Sequence, residues 1–134
     1  MTYTDVNRGA IQFRQRRKQL IDFSGLRFGN ITPTNCDALI EYHGKAFFFF
    51  EFKLRNADVP FGQMLALKRL VDALERAGKY AVLIIAEHTV DNPVDDIDAA
   101  TCTVRKYYNY RSEHEPTDIS VKTLIEKIIA RIDG

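Results

Sequence analysis

Two charged residues interrupt an apolar run near the middle of the sequence. Residues 47–54 read FFFFEFKL, so Glu51 and Lys53 are the polar members of a pattern that otherwise predicts a buried strand. Side chains two positions apart on a strand share one face, about 6–7 Å from each other. A charge buried there must be paired, bound to a metal or shifted in pKa, because its desolvation is costly. The pair is therefore the first candidate for chemistry.

A second carboxylate, Asp37, begins the preceding strand pattern. Residues 37–42 and 46–54 are predicted to form an antiparallel hairpin, and the length of its turn decides where Asp37 faces. A two-residue loop sets Asp37 opposite Phe50, on the wrong face of the sheet. A three-residue loop with left-handed Gly44 sets Asp37 opposite Phe49, on the face of the first candidate pair.

The three-residue loop is the register that we predict. It runs from Tyr42 to Gly44 and sets Glu41 opposite Lys45, where opposite charges attract. The hairpin then gathers two carboxylates and a lysine on one face. Metal-assisted phosphodiester hydrolysis requires such a set, because carboxylate oxygens hold Mg²⁺, which polarises the phosphate and lowers the pKa of a bound water. The lysine can orient that water or help to deprotonate it.

The surrounding pattern predicts an α/β domain with a mixed central sheet flanked by helices. The strand with Glu51 is apolar on both faces, so we expect it to be central and covered by helices. The helix that follows should bring the next strand into the sheet in parallel orientation. The further predicted elements are a helix at residues 5–20, a strand at 26–31, a helix at 60–77, strands at 80–86 and 101–110, and a last helix capped by Thr117 or Asp118.

At these residues the sequence resembles the PD-(D/E)XK nuclease superfamily, whose motif places an aspartate on one strand and Glu-x-Lys on the next. The resemblance covers roughly residues 5–86. Within the superfamily, the small Holliday-junction resolvases are most similar in size and order, because their catalytic strand is also followed by a helix with an early glutamine, here Gln63. The resemblance implies a restriction-endonuclease-like core of order α-β-β-β-α-β, extended here by a C-terminal strand and helix.

The resemblance also implies roles for individual residues. Asp37 and Glu51 would be ligands of Mg²⁺ or Mn²⁺, the carbonyl of Phe52 a further ligand, Lys53 the water-activating residue and Gln63 an auxiliary catalytic contact. The implied activity is endonucleolytic cleavage of DNA, including branched or junction DNA, by a homodimer. RNA as the substrate stays open.

One departure from the family pattern keeps an alternative open. The predicted first helix has no glutamate where many members carry an extra metal-site acid, which leaves the number of metals undecided. A catalytically inactive nucleic-acid-binding or assembly module with a nuclease-like fold is the alternative function.

Several cations are candidates for phosphate contacts, which would give salt-dependent and sequence-independent binding. A solvated basic face explains the cations of the first helix equally well. Arg105 and Lys106 lie beside tyrosines, and a packed strand accounts for that arrangement better than stacked bases. The residues predicted to contact nucleic acid are Arg14, Arg17, Lys18 and Arg55.

Composition limits the remaining possibilities. With 134 residues and 46% hydrophobic content, the chain can bury one core, so residues 1–134 are predicted to be one domain. The net charge of +1 neither requires nor excludes a polyanionic partner. Cys36 and Cys102 form no zinc or disulfide pattern, and no organic-cofactor motif occurs. No signal peptide or membrane span is recognised, so we expect a cytoplasmic protein without a membrane partner.

Overall fold

The computed structural model describes residues 21–59 and 61–134, with the backbone alone at residues 61–63. The chain divides into two compact units, residues 1–33 and 34–134. The predicted helix at residues 5–20 lies outside the described residues, together with Arg14, Arg17 and Lys18. One domain over residues 1–134 stays a prediction.

The second unit is an α/β fold, as predicted. Its elements are β1 Ala38–Tyr42, β2 Ala46–Leu54, α1 Phe61–Arg76, β3 Tyr80–His88, β4 Thr103–Asn109, β5 Ser112–His114 and α2 Val121–Asp133. The five strands lie in sequence order across one mixed sheet. β2 and β3 are parallel, and the other neighbouring pairs are antiparallel. The restriction-endonuclease-like character of this core stays a prediction.

β2 is buried on both faces, as its double row of phenylalanines predicts. Phe48 and Phe50 belong to the core on the α2 side, whereas Phe49 belongs to the core on the α1 side. Each fully buried phenylalanine contributes about 1.5–3 kcal/mol relative to an exposed one. Glu51 is held on the α1 side of the sheet by the same alternation.

The crossover helix α1 fixes the parallel pairing of β2 and β3. Met64, Leu67 and Val71 are buried in the core on its side of the sheet, at the three- and four-residue spacing seen in the sequence. Leu70, next to Val71, is exposed. The helix ends before Gly78, which takes a φ of +84°, a conformation that glycine adopts at little cost.

The predicted strand at residues 26–31 is wrong. Phe28 and Ile31 form a single bridge, with N–H to carbonyl distances of 2.8 and 3.0 Å, around a turn in which Gly29 has a φ of +62°. The Gly29-Asn30 pair folds this segment back on itself, so its apolar residues never extend into a strand. The described sheet has its five strands in residues 38–114.

The C-terminal part differs from the prediction in two details. Tyr110 and Arg111, with φ values of 47° and 59°, make a tight turn into the short strand β5, which the sequence did not indicate because neither residue is glycine or asparagine. The predicted caps of the last helix are also wrong. Ser120 caps α2, and its Oγ accepts a hydrogen bond from the Thr123 N–H at 3.1 Å. Among the described helices, neither has the length and apolarity needed to cross a membrane.

Candidate active site on the α1 face of the sheet

The β1–β2 turn has three residues, as predicted, but it begins one residue later. His43, Gly44 and Lys45 connect the paired residues Tyr42 and Ala46. The Lys45 N–H donates to the Tyr42 carbonyl at 2.8 Å, while His43 and Gly44 have φ values of 51° and 67°. Glycine adopts such a conformation at little cost, so Gly44 suits the centre of this turn.

This turn sets the register that brings Asp37 to β2. Ala38, the first residue of β1, pairs with Phe50, and the Asp37 N–H donates to the Phe50 carbonyl at 3.2 Å. The predicted pairing of Asp37 with Phe49 is wrong, because Phe49 pairs with Leu39. The observed register differs from the predicted one by two residues and so preserves the alternation of β1 side chains between the two faces, while a shared face for Asp37 and Glu51 stays a prediction.

The predicted charge pair between Glu41 and Lys45 is also wrong. Lys45 belongs to the turn, and its Nζ lies 4.0 Å from Asp133 Oδ1. The Glu41 carboxylate instead accepts a hydrogen bond from the Gly44 N–H. Glu41 therefore stabilises the turn itself rather than the strand pairing.

Glu51 and Lys53 form the predicted pair within β2. The Glu51 side chain is only 2% exposed, and its Oε1 lies 3.5 Å from Lys53 Nζ. The Lys53 side chain is 22% exposed, so it is partly open to solvent. The positive charge offsets the cost of burying the carboxylate. The pair is thus positioned before any ligand arrives.

Asp37 is exposed and is fixed to β2 by its own side chain. Its Oδ2 accepts a hydrogen bond of 2.7 Å from the Phe52 N–H. The N–H and C=O of one strand residue point to the same side. We therefore expect the Phe52 carbonyl to point towards Asp37 as well, beyond the point where β1 begins.

The donors in this site fit a hard divalent cation. They are the carboxylates of Asp37 and Glu51 and the carbonyl of Phe52, all of them oxygen atoms. Mg²⁺ is commonly bound by one or two carboxylates together with waters and substrate phosphates. The described residues contain no group of three or more histidine, cysteine, aspartate or glutamate side chains that could hold a metal. Water and phosphate oxygens would complete the coordination of a metal held here.

Glu87 is a neighbour of the site that the sequence did not indicate. The parallel pairing of β2 and β3 places Glu87 beside Lys53. The sequence shows that Glu87 lies at the end of a buried strand. It does not show which β2 residue Glu87 pairs with, because the helix that connects two parallel strands does not fix their register.

The remaining predicted residues stand at the end of β2 and beyond it. Arg55 is exposed, two residues after Lys53, and its N–H donates to the His88 carbonyl at 2.8 Å. Gln63 lies in the first turn of α1. Its side chain is outside the described residues, so its catalytic role stays a prediction. Cys36 and Cys102 are both free thiols.

No protein-family model, curated protein or solved structure matches this chain.

Proposed function

We propose that this protein is a metal-dependent endonuclease that hydrolyses DNA phosphodiester bonds with Mg²⁺ or Mn²⁺. One observation supports this function above the others. Asp37 Oδ2 accepts a hydrogen bond of 2.7 Å from the N–H of Phe52, the residue between Glu51 and Lys53, and Lys53 Nζ lies 3.5 Å from Glu51 Oε1. Two carboxylates and an ammonium group gathered at this point of β2 suit phosphate chemistry better than a purely structural role, because burying the Glu51 carboxylate is costly.

Each residue has a distinct part in this proposal. Asp37, Glu51 and the Phe52 carbonyl would hold the metal, which when bound polarises the phosphate and lowers the pKa of a bound water. Lys53 directs its ammonium group towards Glu51, and an ammonium group has three donors, so Lys53 would also orient a water or a phosphate oxygen. Positioned donors of this kind stabilise the negative charge that develops on the phosphate.

Burial gives the site its rigidity. Glu51 is held between well-packed strands, since its β3 neighbour Ile85 is almost fully buried. A side chain locked by its surroundings keeps the catalytic geometry without reorganisation. Arg55, exposed just after β2, would contact a backbone phosphate next to the cleaved bond.

The proposal is tested by nicking of supercoiled plasmid and by cleavage of a four-way junction, each with Mg²⁺ or Mn²⁺. We expect wild type to cleave at least one DNA substrate, and Glu51→Gln and Lys53→Ala to lose activity by about 100-fold or more, the scale of removing one positioned catalytic group. Glu126→Gln is the matched control, because Glu126 is an exposed acid on α2. An RNA of the same sequence tests the choice of DNA.

The alternative is a catalytically inactive nucleic-acid-binding or assembly module. It predicts that wild type cleaves neither substrate and that calorimetry detects no Mg²⁺ or Mn²⁺ binding. Both results together would overturn the nuclease function.

A homodimer and a cytoplasmic location belong to the same proposal. Cutting both strands of a branched substrate requires two active sites, and two-fold symmetric dimers are the commonest way to supply them. Sedimentation equilibrium would test the oligomeric state, since a monomer at the concentrations that support junction cleavage would contradict the dimer.

A further inference from the structure

A group of cations lies on the same face of the sheet as Glu51. Glu51 of β2 pairs with Ile85 of β3, and Ile85 pairs in turn with Lys106 of β4. Directly paired residues share a face. Lys106 and Glu51 therefore belong to one row across three strands, two strand spacings or about 10 Å apart at the backbone.

Two lysines from different elements converge on one carboxylate here. Lys68 Nζ of α1 donates a hydrogen bond to Glu113 Oε1, and Lys106 Nζ lies 3.5 Å from Glu113 Oε2. Lys68 Nζ is also 5.1 Å from the centroid of the Tyr108 ring. The Lys68 ammonium group lowers the pKa of Glu113, so the carboxylate is ionised at neutral pH. Two ammonium groups around one carboxylate leave a positive charge uncompensated.

A β-bulge brings a third cation to the same place. The register of β3 and β4 shifts between Ile85 and Ala86, which makes Arg105 the extra residue of β4. Arg105 donates from Nη1 to the Ala57 carbonyl at 2.7 Å. Ala57 belongs to the connection between β2 and α1, so Arg105 joins the cation group to the segment that directly follows the Glu51 strand.

The three cations line one depression in the surface. Its volume is about 260 Å³, and Glu113 and Asp58 are its acidic members. Lysine is a common phosphate ligand that acts as a point charge, and Arg105 adds a fixed guanidinium group beside it. Ile85 also lines the depression, and it is the β3 residue that pairs with Glu51 on one side and with Lys106 on the other.

We propose that Lys68, Lys106 and Arg105 form a second phosphate-binding subsite, which takes a backbone phosphate of the polynucleotide whose cleaved bond lies at Asp37 and Glu51. This inference rests on the proposed nuclease function. In the free protein Glu113 holds the two lysines in position. When the polynucleotide binds, a phosphate replaces the Glu113 carboxylate as their partner.

The test measures binding of a fluorescently labelled DNA duplex without divalent metal, by anisotropy, over a series of salt concentrations. Lys68→Gln and Lys106→Gln should each weaken binding by about tenfold at low salt and reduce the salt-dependence slope by about one. Glu113→Gln should tighten binding, because it removes the anion that competes for the lysines. Lys122→Gln is the matched control, since Lys122 is an exposed lysine on α2.

The outcomes separate this inference from the nuclease function. Lysine variants with the wild-type slope, or Glu113→Gln with no gain in affinity, would overturn the subsite. Tighter binding by Glu113→Gln cannot result from misfolding, and thermal unfolding checks the lysine variants. If wild type cleaves DNA but the lysine variants keep the wild-type salt-dependence slope, the subsite is rejected and the nuclease function stands. If wild type neither cleaves DNA nor binds metal, while the lysine variants show the expected reduction in salt-dependence slope, the nuclease function is rejected and the three cations remain a phosphate-binding site.

Discussion

The Phe52 N–H donates a hydrogen bond of 2.7 Å to Asp37 Oδ2, and this bond joins the residue before β1 to the strand that carries Glu51. Asp37 thereby has two separable properties. Its oxygen accepts a structural hydrogen bond, and its charge makes it a candidate metal ligand. Different substitutions remove one property or both.

We expect Asp37→Asn to abolish metal binding while keeping the fold. An asparagine oxygen still accepts from the Phe52 N–H, so the free energy of unfolding should change by about 0.5 kcal/mol or less. Asp37→Ala loses the acceptor as well and should cost about 1 kcal/mol. Urea denaturation and calorimetry with Mn²⁺ measure the two effects. Asp37→Asn with wild-type metal affinity would contradict the assigned ligand.

The Glu51–Lys53 pair should show strong energetic coupling. Lys53→Met removes the cation that offsets the buried Glu51 charge, and we expect a loss of about 1–3 kcal/mol in the free energy of unfolding. Adding Glu51→Gln should recover most of that loss, because the double variant buries no charge that lacks its partner. Urea unfolding of the single and double variants gives the coupling energy.

Lys45→Met is the control for this cycle. Lys45 Nζ is 4.0 Å from Asp133 in an exposed pair, so its removal should cost about 0.5 kcal/mol or less. Equal effects at positions 45 and 53 would mean that the Glu51 charge is stabilised by other groups.

Tyr80 should make stability depend on pH in the alkaline range. Burial raises the pKa of Tyr80 to about 12, above the unfolded value of about 10. The stability from its neutral phenol is therefore complete below pH 10 and is lost as the pH rises towards 12. Tyr80→Phe should lose less stability over that range, as measured by urea unfolding at a series of pH values.

The same variant has a cost at neutral pH. Asn109 is buried and donates from Nδ2 to the Tyr80 hydroxyl at 2.9 Å, so Tyr80→Phe removes its acceptor. We expect a loss of about 1–3 kcal/mol. Tyr110→Phe, at an exposed tyrosine, is the control and should change little.

The β1–β2 turn should depend on Gly44. Its φ of +67° is strained for any residue with a Cβ, so Gly44→Ala should cost about 1 kcal/mol in the free energy of unfolding. A Cβ at Gly44 would meet no heavy atom within 4 Å, so the cost is one of backbone conformation rather than of packing. Gly25→Ala, at a glycine with open space and no positive φ, is the control. Equal stabilities for the two variants would contradict this reading of the turn.

Most of the secondary structure could be predicted because its signals are local. The bounds of β2, residues 46–54, follow from an uninterrupted strand pattern, and α1 differs from its predicted range by one residue at each end. The predicted strand at residues 26–31 was wrong because the Gly29-Asn30 turn folds the segment back before its three apolar residues can form a strand. β5 was missed because its turn uses Tyr110 and Arg111, which carry no turn signal.

By itself, the sequence determined that Glu51 and Lys53 share one face of a buried strand, because side-chain alternation needs no information beyond the strand. Only the tertiary structure decided what stands beside them. The β1–β2 turn set the register that brings Asp37 to the Phe52 N–H, the parallel register brought Glu87 beside Lys53, and the β-bulge turned Arg105 towards Ala57. Registers between strands depend on turn geometry and on packing between distant segments, and neither is written in the spacing of residues along one strand.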